Sequence, residues 1–225
     1  SYYALHSGED PDVALAIKEH YNPAFAGDEP PSNEVGAIVA ISDKLDTILG
    51  CIGVGLIPSG SEDPYGLRRH SLGIIQILLN RHWQIPLDSM IATGLELLAT
   101  KIKLAPEEIR AHTIDLFTQR FKSFFSGFPY DAVEAVLSTG IDSFIDVQQK
   151  VIAFSELKQQ PYFEPLGVTF RRVVSILTQD IHDEIHPELF QEPQEKELYR
   201  QYQQIRVAVE QYIEKKDYRN ALKTI

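Results

Sequence analysis

Residues 42–73 contain the stretch that most narrows the fold, Ser42-Asp-Lys-Leu-Asp-Thr-Ile-Leu-Gly50 followed by Ile57-Pro-Ser-Gly-Ser-Glu-Asp-Pro-Tyr-Gly-Leu-Arg-Arg-His-Ser-Leu-Gly73. Two carboxylates, a lysine, a glycine-containing turn and an Arg-Arg pair lie here among apolar residues at helical spacing. The pattern predicts two helices joined by a structured turn. Because a plain helical bundle does not need this many polar residues at a connection, we expect functional residues here.

Helix-start signals lie upstream of this stretch and within it. Asp10-Pro11 is typical of a helix start, and Ser32 or Asn33 can cap a helix that runs to about residue 53. Asp63-Pro64 predicts a third helix, with Asp63 as its N-cap. Further helices are expected at about 87–102, 106–126, 129–138, 142–158, 166–178 and 193–214, with a last one from about residue 216. No alternating, β-branched run predicts a strand, so the fold class is all-α.

The second of these helices carries a broad apolar face that includes Val35, Ile38, Val39 and Leu45. A wide apolar face needs neighbours on several sides. We therefore expect this helix at the centre of the fold.

The charge of the chain is unevenly distributed. Residues 1–67 hold 11 acidic and two basic residues, a net charge of −9. Residues 68–132 hold six acidic and eight basic residues (net +2), and residues 133–225 hold 15 acidic and 11 basic residues (net −4). The total of −11 argues against a generic polyanion binder. Any contact with nucleic acid must therefore be local.

Cys51 is the only cysteine, which excludes a disulfide framework and a cysteine zinc site within the chain. It lies among apolar residues and is interpreted as a core residue rather than a nucleophile. No apolar run reaches the length of a membrane span, and a cytoplasmic protein is the simplest interpretation. Both ends of the sequence read as helix interiors, so we expect a fragment of a longer chain.

Asp43, Lys44 and Asp46 allow two interpretations. On a helix the two carboxylates lie one turn apart, where they could hold a metal or share a proton. Oxygen-only metal sites need more ligands than this. Structural ion pairs with Lys44, Arg68 or Arg69 are therefore the favoured interpretation.

The turn at 58–64 could bind an anion at the start of the following helix. It lacks the P-loop pattern, and Glu62 and Asp63 would repel a phosphate, so a structural turn is favoured. Arg68 and Arg69 point about 100° apart on a helix. One of them is expected to pair with a nearby carboxylate, which leaves the other for a phosphate or a partner subunit.

Two further clusters lie in the last third of the chain. His182, Asp183 and His186 resemble a metal motif, but Pro187 follows at once and no third ligand is in view. Arg171 and Arg172 stand off an apolar helix stripe and could contact RNA or pair with neighbouring acids. No order or spacing predicts a Ser/His/Asp or Cys/His catalytic arrangement.

The run Ser42–Gly50 followed by Pro58–Arg69 closely resembles the β subunit of bacterial two-subunit glycyl-tRNA synthetases, in which the pattern reads ADKLDTL-G and then PTGS-DPF-LRR-A-G. Other stretches fit the same family, namely Tyr2-Tyr3-Ala-Leu, Gly8-Glu9, Glu19-His20-Tyr21-x-Pro23, Phe170-x-Arg-Val-x-x-Ile-Leu177 and Leu189-Phe-x-Glu-Pro-x-Glu-x-x-Leu-Tyr199. The resemblance spans nearly the whole chain, and residues 81–160 match mainly in helical character.

The resemblance implies a function in glycyl-tRNA aminoacylation. In that family a separate α subunit, expected in a heterotetramer with β, carries the active site with ATP and Mg, and β recognises tRNA(Gly). This chain would then hold no cofactor, contact no membrane and perform no chemistry. The candidate tRNA-binding residues are Arg171 and Arg172, with Arg68 and Arg69 as weaker candidates.

The resemblance also implies three segments: residues 1–83 as the later part of an HD-like helical domain, 84–160 as a helical connector, and 161–225 as the start of an anticodon-binding-like helical domain. Active HD phosphohydrolases bind metal through a His, a His-Asp pair and a later Asp. Asp43 stands at the later position, but His182-Asp183 comes after it, so no bound metal and no hydrolase activity are expected. The alternatives kept open are a metal-dependent HD phosphohydrolase and a purely structural helical module.

Overall fold

A computed structural model describes residues 1–25, 27–176 and 185–225, and all the regular elements in these ranges are helices. They are α1 (Tyr2–His6), α2 (Pro11–Glu19), α3 (Glu34–Gly53), α4 (Leu67–Arg81), α5 (Leu87–Leu98), α6 (Pro106–Phe124), α7 (Tyr130–Ser138), α8 (Phe144–Lys158), α9 (Phe163–Ile176), a 3₁₀ turn (Pro187–Leu189), α10 (Pro193–Glu214) and α11 (Tyr218–Thr224). The predicted all-α fold is confirmed.

The chain forms two units, Ser1–Gln148 and Gln149–Ile225. The division falls within α8, ahead of the boundary that the sequence placed at 160/161. The HD-like and anticodon-binding-like assignments of the three predicted segments stay predictions.

Helix α3 is the centre of the first unit and packs against α2, α4, α5 and α6. Its side chains Ile48, Leu49 and Ile52 have no exposed surface. Burying each such side chain contributes about 1.5–3 kcal/mol relative to leaving it in water. The predicted central position of this helix is therefore observed.

The first half of α3 differs from the predicted apolar face. Val35, Ile38 and Val39 remain exposed, with Ile38 at 56%. Helix α2 approaches on another side, over Gly36, where a Cβ would lie 3.7 Å from the Ala16 Cα. A glycine thus faces α2 at this end of α3, while the larger apolar side chains keep exposed surface.

Two of the predicted helix starts are confirmed in detail. The Asp10 carboxylate accepts the Asp12 N–H at 2.8 Å, and the Asn33 side chain accepts the Gly36 N–H at 2.8 Å. Each satisfies a backbone donor that has no partner within its own helix.

The predicted start of the next helix is wrong by three residues. Helix α4 begins at Leu67, because Gly66 adopts a left-handed conformation with φ 68° and interrupts the helix. The Asp63 carboxylate still caps the helix, from further upstream, by accepting the N–H groups of Leu67 at 2.8 Å and Arg68 at 3.0 Å.

In the second unit α10 packs against α11, and Ala221 of α11 is buried. Arg219 of α11 forms an ion pair with Glu156 of α8, and the Lys150 ammonium lies 5.3 Å from the centre of the Tyr218 ring. None of the described helices combines the length and the apolar character that a bilayer-spanning segment needs.

The Glu19 carboxylate links the end of α2 to the segment before α3. It accepts the Ser32 N–H at 2.7 Å and the Ser32 hydroxyl at 2.8 Å. The backbone hydrogen bond is the main cause that lowers the pKa of Glu19 below 4.5. A carboxylate with a lowered folded-state pKa contributes stability above its unfolded pKa and loses it as the pH falls through the folded value.

We expect Glu19→Gln to lower the free energy of unfolding at neutral pH by about 1 kcal/mol, because the partly exposed carboxylate makes charge-assisted hydrogen bonds. Urea unfolding should show the difference narrowing as the pH falls below 4.5. Glu29→Gln, at an exposed loop position, is the matched control. A difference from wild type that did not vary with pH would contradict this account.

Candidate functional site

Lys44 lies at the centre of the polar cluster that the sequence singled out. Its side chain is 2% exposed, and its ammonium donates to three successive carbonyls, those of His20 at 3.1 Å, Tyr21 at 3.0 Å and Asn22 at 3.0 Å. The last carbonyls of a helix lack partners and attract a cation. Lys44 of α3 therefore caps the end of α2.

Burial lowers the pKa of Lys44, and the charges of Asp43 and Asp28 act in the opposite direction. His70 of α4 is half-buried beside this cluster. Burial lowers the pKa of His70, and the charge of Lys44 acts in the same direction. A neutral imidazole next to the ammonium is thus the favoured state.

The predicted ion pairs of Asp43, Lys44 and Asp46 require a correction. Within residues 1–25, 27–176 and 185–225, neither carboxylate lies within 4.0 Å of a basic nitrogen. Successive helix positions differ by about 100°, so Lys44 can point at the end of α2 while its neighbours point away. The Lys44 ammonium donates to backbone carbonyl oxygens, whereas carboxylate partners were expected.

The arginine pair at the start of α4 also differs from prediction. Arg68 does not pair with Asp43 or Asp46; its Nη2 donates to the Gly60 carbonyl at 2.8 Å. Arg69 is exposed, and its guanidinium lies over Gly66, where a Cβ would meet Nη2 at 2.8 Å. Arg68 therefore helps to fix the turn before α4.

That turn agrees with the structural interpretation. Ser59 and Glu62 exchange two backbone hydrogen bonds, with the Glu62 N–H donating at 2.8 Å and the Ser59 N–H at 3.2 Å. The carboxylate of Asp63 already accepts the first free amides of α4. A phosphate at this helix start would have to displace it.

Metal ligation was considered for two places in the sequence. Among the described residues no three His, Cys, Asp or Glu side chains are arranged to hold a metal ion, around Asp43 or elsewhere. His182 and Asp183 lie outside the described residues. The His186 Nδ1 lies 2.9 Å from a carboxylate oxygen of Glu188.

The remaining sequence candidates are placed as follows. Arg171 and Arg172 are exposed on α9. Cys51 is half-buried in α3, and burial raises the pKa of its thiol. A raised pKa keeps the sulfur protonated, which favours the core interpretation over a nucleophile.

Arg120 of α6 is a residue that the sequence reasoning missed. It is half-buried, and its Nε is buried without a hydrogen-bond partner among the described residues. Burial lowers the pKa of Arg120, the charge of Arg68 lowers it further, and Asp63 acts in the opposite direction. The sequence did indicate its burial, because Arg120 follows Leu116 and Phe117 at helical spacing on the buried stripe of α6.

The family model and the related proteins that match this chain agree on one family. The family model described as glycyl-tRNA synthetase beta subunit matches residues 1–138. The glycine–tRNA ligase beta subunit of Geobacter sulfurreducens is 43% identical over 221 residues, which are 98% of this chain and 32% of that protein. Those of Trichlorobacter lovleyi and Syntrophus aciditrophicus are each 40% identical, over 99% and 98% of this chain and 33% and 32% of the relative.

The chain thus spans about a third of the length of these curated relatives. The match covers the stretch at 42–73 and confirms the resemblance seen there. From these matches, the chain belongs to the family of glycyl-tRNA synthetase beta subunits.

Proposed function

We propose that this chain is the tRNA-recognition and scaffolding part of the β subunit of a glycine–tRNA ligase and performs no chemistry itself. The observation that carries the proposal is the family match over residues 1–138, together with relatives of that name that align with 98–99% of the chain. The structure supports a scaffolding role, because Lys44 and Asp63 are engaged with backbone groups.

The proposal includes a partner. A separate α subunit would carry the aminoacylation site with ATP and Mg, and two copies of each subunit would form a heterotetramer that acts on tRNA(Gly) in the cytoplasm. The segments 1–83, 84–160 and 161–225 would be the HD-like part, the connector and the start of the anticodon-binding-like part. The relatives are named glycine–tRNA ligase beta subunits, which supports a partner subunit and a tRNA substrate.

The two alternatives have less support. A metal-dependent phosphohydrolase is not favoured, because the relatives are named ligases. A purely structural module would require that the intact assembly not bind tRNA.

The test uses the complete two-subunit enzyme with Arg171→Ala and Arg172→Ala combined. If these exposed residues of α9 contact RNA phosphates, we expect the Michaelis constant for tRNA to rise about tenfold or more, because two charge-assisted contacts are lost. Glycine-dependent ATP–pyrophosphate exchange should not change.

The matched control is Arg200→Ala with Arg206→Ala. Both residues lie on α10 in the same unit, and both are already paired, Arg200 with Glu197 at 2.6 Å and Arg206 with Glu210 at 2.7 Å. This variant removes the same number of positive charges. Because its arginines are already paired with carboxylates, it should alter tRNA kinetics less than the Arg171 and Arg172 variant. Equal kinetics for both double variants and wild type would exclude Arg171 and Arg172 as the contact.

A further inference from the structure

An apolar groove lies between α3 and α5 in the first unit. Its volume is about 460 Å³, and Trp83 and Ile85, from the segment between α4 and α5, line it together with the two helices. The helices meet at Gly94, where a Cβ would clash with Cδ1 of Leu49. Because Gly94 also lines the groove, the groove lies directly beside this close contact.

The walls of the groove are two stripes of residues at helical spacing. Each stripe has members three and then four positions apart, Ile38, Ile41 and Leu45 on α3 and Met90, Thr93 and Leu97 on α5. Seven steps along a helix cover about 10 Å, or two turns. Ile38 is 56% and Leu97 78% exposed, so large apolar side chains stand open at the rim. An apolar patch with a polar rim is typical of an interaction site.

The polar residues at the rim are acidic. Asp46 of α3 lines the groove and is exposed. Glu96 of α5 is exposed too, and it lies on the same side of its helix as the lining residue Ser89, seven positions earlier. In the part of the chain that the structure describes, neither carboxylate forms an ion pair within 4.0 Å. Lys44 is the only basic residue of α3 and α5, and its ammonium is directed to the end of α2.

These features select the chemistry of the occupant. A helix with apolar side chains at positions i, i+3 or i+4 and i+7 matches two stripes of this spacing. An extended segment would bring backbone N–H and C=O groups against apolar walls that offer few partners. Lysine or arginine side chains can lay their stems along such walls and place their charges at the rim carboxylates. The same carboxylates would repel an anionic lipid surface.

We propose that the groove between α3 and α5 binds a basic, amphipathic helix of the partner α subunit, an inference that rests on the proposed function. The relatives are named beta subunits, which supports the existence of a partner subunit. Apolar side chains of that helix would cover Ile38 and Leu97, and its basic side chains would pair with Asp46 and Glu96. Such complementary charges favour the correct partner and its register in the groove.

The first test places a photoreactive side chain in the groove of the complete two-subunit enzyme by the change Leu97→p-benzoylphenylalanine. Irradiation should join the β subunit to the α subunit, and mass spectrometry should locate the link on a helix that carries lysine or arginine. The control is the same change at Ile17, which is 47% exposed on α2, outside the groove. The probe at this position should not link to the same helix.

The second test measures the dissociation constant of the two subunits by analytical ultracentrifugation. Leu97→Glu and Asp46→Lys should each weaken the association about tenfold or more, because the first buries a charge and the second sets like charges against each other. Ile17→Glu makes the matched apolar-to-acidic change outside the groove and should keep the wild-type value. Thermal melting of each β variant by itself verifies that it is folded.

Several outcomes would overturn the proposal. A link from position 97 to another segment of β would show that the chain covers its own groove, and a link to a second β would make the groove an interface between copies. No link in an assembled enzyme, or an unchanged dissociation constant for both groove variants, would also exclude the site. In each of these cases an enzyme that assembles and binds tRNA leaves the proposed function standing. If the wild type neither assembles with α nor binds tRNA, the proposed function fails as well.

Discussion

Replacement of Lys44 by methionine is expected to lower the free energy of unfolding by about 3 kcal/mol. Methionine keeps much of the apolar stem but has no donor. The carbonyls of His20, Tyr21 and Asn22 would then lose their common partner in a part-buried position. Unsatisfied buried carbonyls cost more than the desolvation of the ammonium that is relieved.

Urea denaturation followed by circular dichroism checks this expectation. Lys18→Met is the control, because Lys18 is exposed on α2, the helix whose end Lys44 caps. It should change stability by less than about 0.5 kcal/mol. If the two variants were equally stable, the three carbonyl contacts would not be what holds the end of α2.

Replacement of Gly53 by alanine is expected to destabilise the protein by about 1–3 kcal/mol. The added Cβ would lie 2.4 Å from Cγ2 and 3.0 Å from Cβ of Ile102, and the branched Ile102 side chain has few rotamers with which to give way. The Gly53 carbonyl also accepts the N–H groups of Lys103 at 2.7 Å and Leu104 at 3.0 Å, which holds this segment in place. The better helix propensity of alanine offsets only part of this cost.

Gly50→Ala on the same helix provides a control of opposite sign. No atom lies within 4 Å of a Cβ at Gly50, so alanine should stabilise α3 by about 0.5–1 kcal/mol. The comparison of thermal midpoints separates crowding from helix propensity. Equal shifts for the two variants would show that the close approach of Ile102 has no energetic consequence.

The features that the sequence predicted well are local ones. Asp10 and Asn33 satisfy amides two and three positions away, so the cap can be read from a few adjacent residues. The start of α4 was misplaced because a glycine in the left-handed region moves the helix start while Asp63 still reaches its amides. The Asp63-Pro64 pair alone does not reveal this shift of the helix start.

The partners of the charged side chains could not be predicted in the same way. Lys44 finds backbone carbonyls 22 to 24 residues earlier in the chain, and carbonyls carry no sequence signature. The charge of Arg68 acts on the pKa of Arg120 across the packed helices α4 and α6, which are separated in the sequence. The exposure of Ile38 likewise depends on where α2 crosses, which apolar periodicity does not specify.

The contact between Lys44 and the three carbonyls also has a consequence for local opening. A single ammonium holds the end of α2 and the residues that follow it, so these residues cannot fray one at a time. We therefore expect the carbonyls of this segment to separate from α3 together when the Lys44 contacts break. A single side chain of the central helix thus couples the end of α2 to α3.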